Sequence, residues 1–114
     1  MAKSKIPGPL ERRHLIERNL APDRALAIAE AYLQDGRSVE AVDFLAKANA
    51  LDRLEALRRE AIEAGDVFVF RAAAQGMQRP PDREEWRSLA KAAARLGKDR
   101  YALEATRQAD RGED

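Results

Sequence analysis

The sequence predicts an all-α fold in which about three antiparallel helix hairpins stack as a short α-solenoid. Gly36, Gly65 and Gly97 each separate two segments with helical apolar periodicity, at spacings of 29 and 32 residues. The apolar residues are mostly Ala and Leu, which favour closely packed helices. The only strand-like stretch, residues 67–70, has no partner strand elsewhere in the chain. We therefore predict a buried helix there as well.

The first two helices are predicted on either side of Pro22. Residues 1–8 are polar and are expected to be flexible. Pro9 suits the first turn of a helix over residues 9–20, which we expect to cap the stack. Pro22 begins the next helix, which ends at Gly36. Its predicted apolar face consists of Leu26, Ile28, Ala29, Tyr32 and Leu33.

The apolar pattern in the middle of the chain predicts two more helices, with an indistinct break between them over residues 49–51. Ser38 is the expected N-cap of the first, and Gly65 is the expected end of the second. The predicted inner face of the first is Val39, Val42, Leu45, Ala46 and Ala48, and that of the second is Leu54, Leu57, Ala61 and Ile62.

The C-terminal part predicts three helices with clear boundaries. Asp66 is the expected cap of residues 67–78, which the two prolines after residue 79 terminate. Asp82 and Glu85 have capping-box spacing. Residues 9–110 are expected to form a single domain followed by a frayed tail over 111–114. The inner face of the helix after the prolines is predicted to consist of Trp86, Leu89, Ala90, Ala93 and Leu96. The inner face of the last helix is predicted to consist of Tyr101, Ala102 and Ala105. The aromatic residues expected in the core are Tyr32, Phe68, Phe70 and Trp86.

Composition limits the classes of function. The formal net charge of +1 gives no global attraction to nucleic acid, although residues 1–21 carry +3 and residues 22–65 carry −3. The absence of cysteine excludes disulfides and thiolate metal sites. We find no signal-peptide pattern and no run of about 20 apolar residues. The expectation is a cytoplasmic protein without membrane contact, and the Ala/Arg-rich usage favours a bacterial source.

Two hairpins resemble the tetratricopeptide repeat. The third reads Trp86-x2-Leu89-Ala90-x2-Ala93-x3-Gly97-x4-Ala102, and the first reads Ile28-Ala29-x2-Tyr32-x3-Gly36-x4-Ala41-x3-Leu45-x2-Ala48. The middle hairpin departs from the pattern, because Arg58 stands where the repeat has a small residue and Phe70 replaces an alanine. The resemblance covers residues 22–110 and implies a right-handed solenoid. A generic antiparallel helix bundle has the same periodicity.

The residue patterns that support catalysis are missing, so we predict no enzyme, no cofactor and no metal site. His14 is the only histidine, which rules out an HExxH motif, and we expect it on a helix surface. No glycine-rich phosphate loop is present. The neighbouring Glu84 and Glu85 lie at a helix start, where the helix dipole stabilises carboxylates.

The resemblance implies that the first helix of each hairpin lines a concave groove. Arg87, Lys91 and Arg95 are spaced i, i+4, i+8 and share one helix face, which suits an acidic peptide, a carboxylate or phosphate groups. Alternatively, they form an ordinary solvated face, or pair with Glu55 and Glu63 of the preceding hairpin. The groove residues implied are Leu26, Glu30, Leu33, Glu55, Arg59, Glu63, Arg87, Lys91 and Arg95.

The leading hypothesis is therefore a protein-interaction module, an adaptor or scaffold that binds a peptide or helix in the groove. An uncovered end hairpin would instead favour a homodimer, as a self-associating structural protein without a peptide ligand. The alternative from another class is a helical domain that binds nucleic acid through its basic residues, and the near-neutral charge argues against it. The N-terminal cations that would take part are Lys3, Lys5, Arg12, Arg13 and Arg18.

Overall fold

Seven α-helices account for most of the part of the chain that the structure, a computed structural model, describes, residues 6–111. No strand occurs in this range, and the strand-like segment 67–70 is helical as predicted. The expectations for residues 1–5 and 112–114 lie outside the described range. The helices are α1 (Pro9–Glu17), α2 (Pro22–Gln34), α3 (Ser38–Lys47), α4 (Leu51–Ala64), α5 (Val67–Met77), α6 (Arg83–Arg95) and α7 (Asp99–Arg111).

Consecutive helices pack as pairs, and the pairs pack on one another. The most extensive contacts join α2 to α3, α4 to α5 and α6 to α7. Between pairs, α3 contacts α4 and α5, α4 contacts α6, and α5 makes a smaller contact with α7. The result is an all-helical domain with principal extents of 41 × 34 × 23 Å, compatible with a helical repeat. None of the helices over residues 6–111 has the length and apolar character needed to cross a membrane.

The three predicted glycines all end helices in the left-handed conformation, with φ between 65° and 75°. After Gly65, the N–H of Asp66 donates to the carbonyl of Ala61 at 2.9 Å, which is the Schellman motif, and the other two glycines show the same bond. Asn49 (φ 53°) and Gln78 (φ 55°) end α3 and α5 with this bond too. The predicted break over residues 49–51 is therefore confirmed.

Gly65 is held more tightly than the other turn glycines. A Cβ atom built on it would lie 2.7 Å from the Cα of Ala93 in α6, whereas one built on Gly36 or Gly97 meets nothing within 4 Å. Lys98 closes the same junction, because its Nζ donates to the carbonyl of Ala64 at 2.7 Å. The end of α4 thus touches the backbone of α6, and only glycine fits at this contact.

Two of the three predicted N-caps are confirmed. The Asp66 carboxylate accepts a bond from the N–H of Val69 at 3.1 Å. Asp82 and Glu85 form a complete capping box at the start of α6. The prediction for Ser38 is wrong, since Ser38 is already inside α3 and the cap position is held by Arg37 without a side-chain cap bond.

Buried side chains form two clusters, one in each half of the domain. Tyr32 stacks on Phe44 in the N-terminal cluster with ring centres 5.7 Å apart. Phe70 meets Trp86 edge to face in the C-terminal cluster at 4.9 Å. The predictions that place Tyr32, Phe70 and Trp86 in the core are confirmed. Phe44 is completely buried as well, although it is not among the aromatic residues predicted in the core.

Several residues predicted to face inward are exposed. Phe68 is 60% exposed, because Val67 and Phe70 set the inner face of α5 and Phe68 points to the side. Val39 and Ala46 lie outside the buried face of α3, which Ala41, Val42, Phe44 and Leu45 form. Leu96 is also exposed, since it follows the last turn of α6.

Helix α1 packs against the first hairpin through the apolar side chains of Leu15 and Ile16 and the charged side chain of Arg12. Leu15 is buried in the N-terminal cluster. Arg12 donates to the carbonyl of Glu40 at 2.9 Å and to the carboxylate of Asp43 at 3.0 Å. Its guanidinium also lies 5.5 Å from the ring centre of Tyr32. These contacts fix α1 on α2 and α3.

Candidate functional site

The three cations at the end of the predicted groove lie on the solvent side of α6. Arg87, Lys91 and Arg95 are all exposed, and we call them the α6 basic stripe. The helix buries Trp86 and Leu89 on its other side. The amphipathic pattern of α6 therefore places the stripe where a partner molecule can reach it.

The α6 basic stripe has little compensating charge within residues 6–111. Arg87 pairs with Glu84 of the same helix at 3.0 Å, and both side chains are largely exposed. Lys91 and Arg95 form no ion pair with any residue of that range. The alternative in which Glu55 pairs with the stripe does not hold, because Glu55 pairs with Arg79 at 2.8 Å. Glu63 is exposed and forms no ion pair with these described residues.

The positions predicted on α2 and α4 have mixed environments. Glu30 is bound by Arg53 of α4, so its charge is already paired. Leu26 and Leu33 are half-buried and pack against the N-terminal cluster, which gives them a structural contact as well as an exposed part. Arg59 is exposed and has no ion-pair partner among residues 6–111. The charged members of the predicted set that form no ion pair within residues 6–111 are thus Arg59, Glu63, Lys91 and Arg95.

A buried arginine that the sequence analysis did not assign to a site connects α4 to α6. Arg58 is 1% exposed. Its Nε and Nη2 donate to the two carboxylate oxygens of Glu85 at 2.7 and 2.6 Å, in the bidentate geometry of the strongest arginine–carboxylate pairs. The guanidinium also donates to the carbonyls of Arg79 at 2.8 Å and Pro80 at 3.2 Å. It lies 5.5 Å from the ring centre of Phe70.

The pKa values of Arg58 and Glu85 are both shifted from their ordinary values. The hydrogen bonds from Arg58 lower the pKa of Glu85, more than burial raises it. The same bond raises the pKa of Arg58. Both groups are therefore charged at neutral pH, and each charge is satisfied inside the protein.

The Arg58 cluster accounts for the presence of a charged residue on the buried face of α4. Glu85 also accepts the N–H of Asp82 at 3.0 Å, so one carboxylate serves both the capping box and Arg58. The cluster thereby holds α4, the start of α6 and the connection between α5 and α6 together. A signal was present in the sequence, since Arg58 lies at helical spacing from Leu54 and Ala61 on the buried face of α4.

The residues considered for catalysis remain scattered. His14 lies on the exposed side of α1. No group of three or more histidine or acidic side chains within the described range is placed to hold a metal ion. Glu84 and Glu85 lie at the start of α6, and the structure gives them partners in Arg87 and Arg58.

Comparison with known proteins gives no family assignment. No protein-family model matches the chain, and neither a curated protein nor a solved structure is significantly similar to it.

Proposed function

We propose that the protein is an interaction module of the cytoplasm, an adaptor that binds an acidic peptide or helix across the outer face of α6. In this proposal the three hairpins form a short tetratricopeptide-like solenoid capped by α1. The exposed and largely unpaired α6 basic stripe carries the proposal. The order of contacts supports a stacked arrangement, because α4 touches α6, and both α3 and α7 touch α5. Helices α2 and α4 are bridged by the ion pair of Glu30 with Arg53.

The charges around the stripe favour an external acidic partner. Of the two carboxylates predicted as internal partners, Glu55 is bound to Arg79, and Glu63 is exposed and forms no ion pair within residues 6–111. A cation left unpaired on a folded surface costs little in water and attracts carboxylates of a partner. Arg59 extends the basic character to α4. A negatively charged segment lying along α6 would therefore meet Arg87, Lys91 and Arg95, of which only Arg87 has an ion-pair partner within residues 6–111.

An apolar contact is available beside the stripe. Leu96 follows Arg95 directly and is 51% exposed. A large apolar side chain on the surface next to unpaired charges is typical of a recognition site, since charge steers the partner and apolar burial adds affinity. The partner that fits is a segment with acidic residues at helical spacing and one apolar residue at its end.

Fluorescence anisotropy tests this function with a labelled synthetic helical peptide that carries three glutamates at i, i+4, i+8 and a terminal leucine. The triple variant Arg87→Glu/Lys91→Glu/Arg95→Glu is expected to weaken binding by at least about tenfold, which corresponds to about 1.4 kcal/mol. Replacing the glutamates of the peptide by glutamine should have a similar effect. Binding unchanged by either substitution contradicts the proposal.

A matched control variant separates this site from general charge. Arg13→Glu/Arg18→Glu/Arg24→Glu changes the net charge by the same amount at exposed positions on and near α1 and α2. Its affinity for the peptide should stay within about twofold of the original protein at physiological salt, where the Debye length is about 8 Å. An equal loss in both variants would indicate non-specific attraction instead of a site on α6.

A further inference from the structure

A second basic surface lies in the cleft between α5 and α7, away from the α6 basic stripe. The cleft has a volume of about 820 Å³ and shares no residue with the stripe. Four arginines from four different elements line it: Arg71 in α5, Arg79 in the α5–α6 connection, Arg83 in α6 and Arg111 in α7. Its volume falls in the range of about 300–1,000 Å³ typical of small-ligand sites.

The remaining polar groups of the cleft are mostly neutral hydrogen-bonding amides. Gln75, Gln78 and Gln108 contribute side-chain amides to the lining. Asp82 is the only acidic residue among the described lining residues, and its carboxylate accepts the N–H of Glu85 at 2.8 Å. The amide of Gln108 already donates to the carboxylate of Glu104 at 2.9 Å, whereas the side-chain amides of Gln75 and Gln78 form no hydrogen bond within residues 6–111. The cleft therefore offers donors to an anion, and the one carboxylate among its described lining residues is already bonded to the backbone.

The present partners of Arg71 and Arg79 can be exchanged for a ligand. Arg71 binds Glu104 at 2.8 Å, and Arg79 binds Glu55 at the same distance. All four side chains of these two pairs are more than a third exposed, and such pairs contribute only about 0–1 kcal/mol. Arg111 forms no ion pair within residues 6–111. A ligand with several negative charges can therefore bind the guanidiniums of Arg71, Arg79 and Arg111 at a small cost in free energy.

One wall of the cleft is held in place by the buried Arg58. Its bonds to the carbonyls of Arg79 and Pro80 fix the connection between α5 and α6, residues 78–82, which carries five of the lining residues. Gln78 adds to this wall in the left-handed conformation, which strains a residue with a side chain. A wall fixed before the ligand arrives reduces the entropy cost of binding.

We propose that this cleft binds a small phosphorylated ligand. The planar guanidinium groups of arginine match phosphate oxygens in bidentate geometry, and four of them surround one cavity. The glutamine amides can donate to further phosphate or hydroxyl oxygens. The residues of this cleft differ from those of the α6 basic stripe proposed to bind the acidic peptide. The two proposals can therefore be tested independently of each other.

Trp86 provides a direct reporter for the test. It is the only tryptophan of the chain and lines the cleft, with the Arg71 guanidinium 5.5 Å from its ring centre. Inorganic pyrophosphate, added at constant ionic strength, should change the Trp86 emission in a saturable way with one site per chain. It should also raise the thermal unfolding midpoint, because the folded state alone holds the cleft. A linear response that sodium chloride reproduces would overturn the proposal.

Single substitutions locate the site. Arg79→Gln and Arg111→Gln are each expected to weaken pyrophosphate binding by about tenfold, which corresponds to the loss of about one charge-assisted hydrogen bond. Arg107→Gln, an exposed position on α7 outside the cleft, is the matched control and should change affinity by less than about twofold. Unchanged binding in both cleft variants overturns the location. Citrate binding as tightly as pyrophosphate overturns the preference for phosphate.

Discussion

The positive charge on the inner face of α4 is buried and paired, whereas the positive charges on the outer face of α6 are exposed and mostly unpaired. On the inner side, Arg58 is fully buried and four acceptor atoms of Glu85, Arg79 and Pro80 satisfy it. On the outer side, the α6 basic stripe is exposed and nearly unpaired. The comparison shows that the same residue type serves the fold where it is enclosed and is available to a partner where it is not. The inner set should therefore control stability, and the outer set should control binding.

The largest expected effect follows from removing the inner charge. Arg58→Ala leaves Glu85 and the carbonyls of Arg79 and Pro80 without their donor, and opens a cavity beside Phe70. We expect a loss of about 3–5 kcal/mol in the free energy of unfolding, as for other buried pairs broken on one side. Urea denaturation followed by circular dichroism measures this.

The exposed pair on the other side of α4 is the control for that variant. Arg53→Ala breaks the pair with Glu30, and exposed pairs contribute only about 0–1 kcal/mol. If Arg58→Ala and Arg53→Ala lower the free energy of unfolding by the same amount, burial does not distinguish the two ion pairs, and the contrast between the inner and outer charges is wrong.

The glycine at the end of α4 gives the next largest effect. Gly65→Ala combines a left-handed backbone, costing about 1–2 kcal/mol, with a clash against the α6 backbone that adds about 1–3 kcal/mol. Gly97→Ala has a similar φ but open space around it, so only the backbone cost applies. Thermal or urea unfolding of the two variants should rank Gly65→Ala as the more destabilised. Equal losses would mean that α4 and α6 are not packed this closely.

The pH dependence of stability tests the inner pair without altering its packing. The pKa of Glu85 is lowered in the folded state, so the folded protein binds this proton less readily than the unfolded chain. Its stabilising contribution is present above the unfolded pKa and disappears as the pH falls through the folded one. Glu85→Gln removes this contribution at neutral pH. The difference in unfolding free energy between the original protein and this variant should shrink on acidification below about pH 4, and a constant difference contradicts the assignment.

The smallest effect on stability is expected on the outer face. Arg87→Glu/Lys91→Glu/Arg95→Glu changes three exposed side chains, and surface substitutions of this kind each alter stability by less than about 0.5 kcal/mol. Its urea-unfolding midpoint should stay close to that of the original protein while peptide affinity falls. A large loss of stability in this variant would show that the stripe contributes to the fold after all.

Much of the fold could be predicted because its signals are local. Turn glycines, proline-delimited starts and the capping box at Asp82 act within a few residues, and the structure places them as expected. Phe68 was misplaced because its side chain lies at the edge of the helix face, where neighbouring helices decide burial. The partners of Arg58 lie about 21–27 residues away, and the cleft between α5 and α7 depends on how hairpins pack. Neither follows from helical periodicity alone.

The most direct test of the account is chemical-shift mapping of the ¹⁵N-labelled protein with the acidic helical peptide. We expect the largest amide shifts over residues 87–95 of α6, at Leu96 directly after it and at Arg59, with the Arg58 cluster unaffected. Shifts confined to the cleft between α5 and α7, or no saturable shifts at all, would contradict the assignment of binding to the outer face.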